Sequence, residues 1–225
     1  MTQSPSLSPS TTLAALATSR AGASRVFARH HLDFCCHGGV SVAEACARKG
    51  LDASQIIEEV AAEERVGEAP AVWESRPLDL LTRHIVDRYH RDHRAELPRL
   101  LSMARRVEQV HGDKPECPRG LADLIARFFD EVDGHMLKEE QILFPIIESG
   151  QGSTAGGPIQ VMEREHEDAA VDLERMRELT SDYVPPAAAC GTWRALYLGL
   201  AEFVREFMEH VHLENHLLFP RALRG

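Results

Sequence analysis

The sequence contains one motif twice, and this duplication constrains the fold more than any other feature. Residues 135–145 read HMLKEEQILFP and residues 210–220 read HVHLENHLLFP. In each copy a histidine is followed four positions later by a glutamate and then by Leu-Phe-Pro. Because side chains four residues apart lie on one face of an α-helix, each copy predicts a helix that carries an imidazole and a carboxylate side by side.

Both copies continue a stripe of apolar residues at steps of three and four, which is typical of the buried face of a helix. The first stripe with its motif comprises Leu121, Ile125, Phe128, Val132, His135, Glu139 and Ile142. The second comprises Leu196, Leu200, Phe203, Phe207, His210, Glu214 and Leu217. The polar pair of each motif is therefore expected in the core, where a carboxylate must be paired, hydrogen-bonded, metal-bound or neutral.

Helical periodicity extends over most of the chain after residue 78, and no segment there alternates with the period of a strand. Breaker-rich connections separate long helices, which are expected at about 78–111, 119–149, 158–181 and 190–219. Four long helices with short connections predict an all-α, antiparallel four-helix bundle over residues 78–225.

Two more histidines, His90 and His166, lie on the core stripes of the first and third helices and precede the two motifs at nearly equal separations. Two similar hairpins around a pseudo-twofold axis would bring four imidazoles and two carboxylates together. These are too many ligands for one tetrahedral zinc. They fit two ions that share both carboxylates, with iron favoured, manganese next and zinc possible.

The alternative for a single motif is an ordinary surface or structural pair, but two copies in phase with apolar stripes favour the metal site. His93, one turn from His90, is an alternative ligand or a partner of a carboxylate. Glu140 is expected to face away from the centre. His212 and His216 lie off the core stripe and are expected to be exposed.

The N-terminal third has a different character. Residues 1–21 are rich in Ser, Thr and Pro and are expected to form a mobile tail. Residues 22–66 predict a small helical domain, in which Ser41 and Glu44 form a capping box. Residues 67–77 contain two prolines and are expected to be a linker.

Composition excludes some classes of function and favours a compartment. The formal net charge of -10 disfavours nucleic acid as a partner, and no apolar run is long enough to span a membrane. The first 20 residues lack the basic start and long apolar stretch of a signal peptide. The odd count of five cysteines favours a reducing, cytoplasmic setting.

Two of the cysteines, Cys35 and Cys36, are adjacent in a turn-forming segment, DFCCHGG. One interpretation is a pair of ordinary thiols near a turn. The other is redox or soft-metal chemistry, helped by a helix N-terminus that lowers thiol pKa values. A vicinal disulfide is too constrained for a structural role.

With DFCCHGG, RYHRDH, HMLKEEQILFP, VMEREH and HVHLENHLLFP, the chain resembles hemerythrin-like domains over about residues 22–223. More specifically it resembles the iron-sulfur cluster repair di-iron proteins, the RIC family. The resemblance implies an oxo-bridged di-iron centre with two bridging glutamates. The ligands that it implies are His90, His135, Glu139, His166, His210 and Glu214.

The expected function is repair of iron-sulfur clusters damaged by nitrosative or oxidative stress, through iron donation, NO binding, or both. The resemblance implies that Cys35 and Cys36 supply electrons or handle metal. Expected partners are damaged iron-sulfur proteins, NO or O2, an electron donor of unknown identity, and a second copy of the chain in a homodimer. The alternatives are an NO reductase that forms N2O and a module that senses O2 or NO.

Overall fold

The computed structural model describes residues 6–20, 22–63 and 70–225. In this part of the chain the regular structure is helical, apart from an isolated bridge between Thr12 and Ser41. The all-α architecture expected from the periodicity is confirmed. None of the described helices is both long and apolar enough to cross a membrane.

Four long helices form the bundle, and three of them contain a π-helical turn. The first consists of α5 (Leu78–His84), a π turn (Ile85–His90) and α6 (Arg91–His111). The second consists of α7 (Leu121–Lys138), a π turn (Glu139–Leu143) and α8 (Phe144–Glu148). The third is α9 (Gly156–Leu179). The fourth consists of α10 (Gly191–Leu213), a π turn (Glu214–Leu218) and α11 (Phe219–Arg224).

The bundle has two apolar cores with the polar motifs between them. One core contains Leu100, Ile125, Phe128 and Leu200, and the other contains Ile85, Phe144, Ile159 and Leu218. In each bundle helix the predicted ligands lie between residues of the first core and residues of the second. The centre is therefore shielded at both ends by close-packed side chains, which exclude water.

Each π turn begins or ends at a predicted ligand: His90, Glu139 or Glu214. A π turn inserts an extra residue and changes which side chains face the core, and such turns are frequent at functional sites. Ile142 shows the effect. Its predicted place on the core stripe is wrong, since Ile142 is 52% exposed and its neighbour Leu143 is buried.

The N-terminal domain contains α1 (Leu13–Ser19), α2 (Ala23–Arg29), α3 (Val42–Lys49) and α4 (Ala53–Glu63). Helix α1 differs from the mobile tail that the sequence predicts for residues 1–21. Thr12 caps it by accepting a hydrogen bond from the Ala15 amide, and Leu13 and Leu16 are buried in the domain core. Residues 1–5 and 21 lie outside the described part, as do residues 64–69 of the predicted domain end and linker.

The small domain packs against the fourth bundle helix, and this contact overturns one expectation. Ser24 donates a hydrogen bond to Glu209 at 2.7 Å. His212, expected to be exposed, is buried and lies 3.0 Å from the Thr18 hydroxyl. His216 is half-buried, and its Nε2 lies 2.9 Å from the Cys35 carbonyl oxygen. Both histidines lie off the bundle core, but the small domain covers that face.

Candidate metal centre

The structure brings the six predicted side chains together in two overlapping groups. Within each group, every residue offers a ligand atom within 4.8 Å of the others. Each group contains both Glu139 and Glu214. The first group adds His90 and His210, and the second adds His135 and His166. All six residues are buried, at most 6% exposed.

The Nε2 atoms of the four histidines face the middle of this cluster. The Nε2 atoms of His90 and His210 are 3.2 Å apart, and those of His135 and His166 are 3.1 Å apart. The phenylalanine of each Leu-Phe-Pro closes the cluster from one side. Phe144 stacks on His90 and Phe219 on His166, with ring centroids 5.9 Å and 6.1 Å apart.

The buried carboxylates fit a metal centre better than they fit a self-contained protein core. Both oxygens of Glu139 lack a hydrogen bond, and the nearest imidazole nitrogens, on His90 and His135, lie 3.4 Å away. One oxygen of Glu214 also lacks a hydrogen bond. An unpaired buried carboxylate is costly. Four imidazoles and two carboxylates are a donor set for two iron-type cations.

Three of the four histidines are held from outside through their Nδ1 atoms. Nδ1 of His90 lies 2.7 Å from Glu140, and Nδ1 of His135 lies 2.9 Å from Glu165. Nδ1 of His166 lies 3.0 Å from the Asn215 side-chain oxygen. Because an acceptor at Nδ1 places the ring proton there, the Nε2 lone pair is free to bind a metal.

Helical periodicity does not indicate these outer partners: Glu140 belongs to neither group of potential ligands, yet it contacts the outer nitrogen of His90. Glu140 also accepts a hydrogen bond from Arg94 at 2.6 Å, which holds its carboxylate against the first bundle helix. The duplicated motif does contain a sequence signal for two of these outer partners. Glu140 and Asn215 each directly follow the glutamate of a motif, and each contacts the lone histidine of its own hairpin.

Charge is distributed unevenly across the centre. Burial lowers the pKa of His135, but Glu139 and Glu165 outweigh it and raise that pKa to about 10. Burial and His90 hold the pKa of His210 well below its ordinary value. The hydrogen bond from His135 and the nearby Lys138 lower the pKa of Glu165 to about 2. The carboxylates around His135 therefore favour the charged form of its ring when no metal is bound.

His93 is not part of either group of potential ligands. Its ring packs against Phe203, Phe207 and His210, and its Nε2 has no hydrogen-bond partner. Burial and the neighbouring His210 hold its pKa well below the ordinary value. The expected hydrogen bond from His93 to a carboxylate is therefore absent among the described contacts.

Cys35 and Cys36 lie at the junction between the small domain and the bundle, with their sulfur atoms 3.7 Å apart. Asp33 accepts hydrogen bonds from both cysteine amides and from the Cys35 thiol. The hydrogen bond with Cys36 and burial hold the pKa of Cys35 well above its usual value. The lowered thiol pKa expected from a helix N-terminus is therefore wrong for Cys35.

Two cavities border the second group of potential ligands. A cavity of about 840 Å³ is lined by Cys35, Cys36, His166 and Phe207. A cavity of about 570 Å³ on the other side of α9 is lined by His135, His166, Glu165 and Phe207. His90 and His210 line neither cavity. Both of these cavities therefore reach the His135–His166 half of the centre.

Comparison with known proteins identifies both parts of the chain. Residues 81–222 match the family described as Hemerythrin HHE cation binding domain, and residues 9–64 match a domain of unknown function, DUF542. The chain is 48% identical over 213 residues to the iron-sulfur cluster repair protein YtfE of Yersinia pseudotuberculosis (serotype O:1b), covering 95% of this chain and 96% of that protein. Identity to the YtfE protein of Yersinia pestis (strain Pestoides F) is 47% with the same coverage.

The DUF542 match begins at residue 9 and so includes α1, in agreement with the buried position of that helix. The hemerythrin match spans all six of the clustered histidines and glutamates. The chain belongs to the hemerythrin-like family of iron-sulfur cluster repair proteins.

Proposed function

We propose that this protein repairs iron-sulfur clusters damaged by nitrosative or oxidative stress and that it does so with a di-iron centre. The observation that carries the proposal is the pair of buried glutamates, Glu139 and Glu214, each shared by two groups of imidazole donors. The names of the relatives at 47–48% identity over nearly the whole chain support the same function.

Glu139 and Glu214 would bridge two irons, while His90 and His210 would bind one ion and His135 and His166 the other. When bound, the centre supplies iron for transfer and open positions for NO or O2. Glu140, Glu165 and Asn215 keep the ring protons on Nδ1 and so direct the Nε2 lone pairs inward. Because each glutamate belongs to both groups, it would still offer a ligand to one ion if the other were absent.

Cys35 and Cys36 lie beside the larger cavity, which His166 also lines. They would supply electrons or accept a metal ion in transit. Asp33 supports the second role, because its carboxylate and the two sulfur atoms lie within 4.8 Å of one another. The protein is expected in the cytoplasm, where damaged iron-sulfur proteins are the partners and thiols stay reduced.

The test is repair of an NO-treated [4Fe-4S] protein by the chain loaded with ⁵⁷Fe. Repair is expected to place the label in the restored cluster. Glu139→Gln is expected to abolish both label transfer and repair. Glu163→Gln is the matched control, since Glu163 is an exposed carboxylate on α9 outside both groups. Restored clusters without label would refute iron donation.

A second candidate is an NO reductase, favoured by the overlap of the two groups of donors. Two NO molecules bound at neighbouring ions would be close enough to couple to N2O. Anaerobic addition of NO separates the two functions. Catalytic N2O formation that continues with excess reductant favours the reductase, and uptake that stops at the number of ions favours binding alone.

A further inference from the structure

Two hydrogen bonds in series connect the cysteine pair to His166, whose ring also contacts the metal centre. The side-chain amide of Asn215 donates to the Cys35 carbonyl oxygen at 3.1 Å. The other end of that side chain, its Oδ1, lies 3.0 Å from Nδ1 of His166. His166 then reaches the centre, with Nε2 3.1 Å from a Glu214 oxygen. Asn215 lies in the π turn that begins at Glu214.

The Cys35 carbonyl determines the direction of both hydrogen bonds. A backbone carbonyl can only accept, so the NH2 group of Asn215 must face Cys35 and its oxygen must face His166. The amide oxygen of Asn215 can only accept, so Nδ1 of His166 must carry the ring proton. The Nε2 lone pair then points at the centre. The Cys35 carbonyl thus selects the ring tautomer of His166 that can bind a metal.

Oxidation of the cysteine pair would move this same carbonyl. The sulfur atoms are 3.7 Å apart and would have to approach to about 2.0 Å in a disulfide. Adjacent Cα atoms are about 3.8 Å apart, closer than most disulfides permit. Closing the ring therefore has to turn the peptide between Cys35 and Cys36, and the oxygen of that peptide is the acceptor for Asn215.

We propose that Asn215 is a positioning residue that makes the hold of His166 on its metal depend on the redox state of Cys35 and Cys36. The two thiols lose two protons and two electrons to a low-molecular-weight disulfide, which becomes two thiols. The carbonyl turns, Asn215 loses its fixed orientation, and His166 loses its outer hydrogen bond. Iron then leaves the His166 side faster. This inference rests on the proposed di-iron function.

His216 provides the control, because its Nε2 also lies against the Cys35 carbonyl, at 2.9 Å, and it is in neither group of donors. A variant at His216 loses one contact to the moving carbonyl and keeps the path through Asn215. All proteins should carry Cys190→Ser, since Cys190 is exposed and could form disulfides between molecules.

The experiment measures the rate at which ferrous iron passes to a chelator, before and after treatment with oxidised glutathione, with peptide mapping to identify the Cys35–Cys36 disulfide. Loss of an outer partner typically weakens metal binding about 10–100-fold, so oxidation should speed release by about tenfold or more. His216→Leu should respond equally. Asn215→Leu should release iron fast in both states. Equal rates for reduced and oxidised parent protein, or a full response in Asn215→Leu, would overturn the inference.

A readout without iron separates this inference from the proposed function. In ¹⁵N-histidine-labelled, metal-free protein, oxidation should shift the His166 ring resonances away from the Nδ1-protonated pattern. Asn215→Asp keeps an acceptor for His166 but no donor for Cys35, so it should restore that pattern relative to Asn215→Leu and should not respond to oxidation. If the chain binds no iron, the di-iron function fails and the shift still decides the coupling; an unchanged spectrum refutes the coupling.

Discussion

The six proposed ligands are not equivalent, and this gives a quantitative test of the centre. Glu139 belongs to both groups of donors, whereas His90 belongs to one. Glu139→Gln is therefore expected to impair both metal sites and His90→Gln only one. Iron analysis after loading should give about two ions per chain for the parent protein, one for His90→Gln and none for Glu139→Gln, as the sharing of ligands requires.

The same sharing determines the stability gained from metal. An ion at a free concentration 100 times its dissociation constant stabilises the folded state by about 2.7 kcal/mol. For a chain of 225 residues, this raises Tm by about 5–10 °C. The parent should gain roughly twice that amount from two ions, His90→Gln should gain the single increment, and Glu139→Gln should gain nothing.

The assay is thermal unfolding under anaerobic conditions, with each variant compared to its own metal-free form. This comparison removes the cost of the substitution itself. Glu140→Gln is the control, because Glu140 holds Nδ1 of His90 but belongs to neither group. The Glu140→Gln variant should bind iron more weakly than the parent protein, but it should still bind two ions at saturation. Equal metal-dependent gains for Glu139→Gln and His90→Gln would refute the sharing of the glutamates.

Three further outcomes are expected. Leu16→Ala should lower the free energy of unfolding by about 2–5 kcal/mol in urea, since Leu16 is fully buried, whereas a mobile segment would show no change. Burial lowers the pKa of His212 to about 3. The metal-free protein should therefore lose stability as the pH falls from about 6.5 towards 3, by up to about 1.4 kcal/mol per pH unit. The variant His212→Gln should show a weaker dependence of stability on pH. Joint replacement of Cys35 and Cys36 by serine should leave the iron content unchanged and reduce repair, and full repair would exclude a role for the thiols.

The clustering of the six proposed ligands could be predicted from sequence because the information lies within single helices. His135 and Glu139 are four residues apart and in phase with apolar neighbours, so the burial of one follows from the burial of the other. The exposure of Ile142 could not be predicted in this way, because a π turn changes the phase after Glu139. The burial of His212 depends on the N-terminal domain, and no periodicity within the fourth helix contains that contact.

The outer partners show both the symmetry of the repeat and its limit. Glu140 and Asn215 occupy equivalent positions and perform equivalent tasks with different chemistry. The residues that directly precede His90 and His166, namely Tyr89 and Glu165, differ more in chemistry. Glu165 accepts a hydrogen bond from His135, while Tyr89 stacks on His210 with ring centroids 5.3 Å apart and Nδ1 of His210 has no partner.

This asymmetry distinguishes the two halves of the centre. The His135–His166 half borders both cavities, and its ligands depend on Glu165 and Asn215. In the other half, Tyr89 stacks on His210, and neither His90 nor His210 lines either of the two cavities. Iron should therefore leave in two phases, and Glu165→Gln should accelerate only the faster one. A single phase, or equal acceleration of both, would show that the repeat is symmetric in function although its outer partners differ.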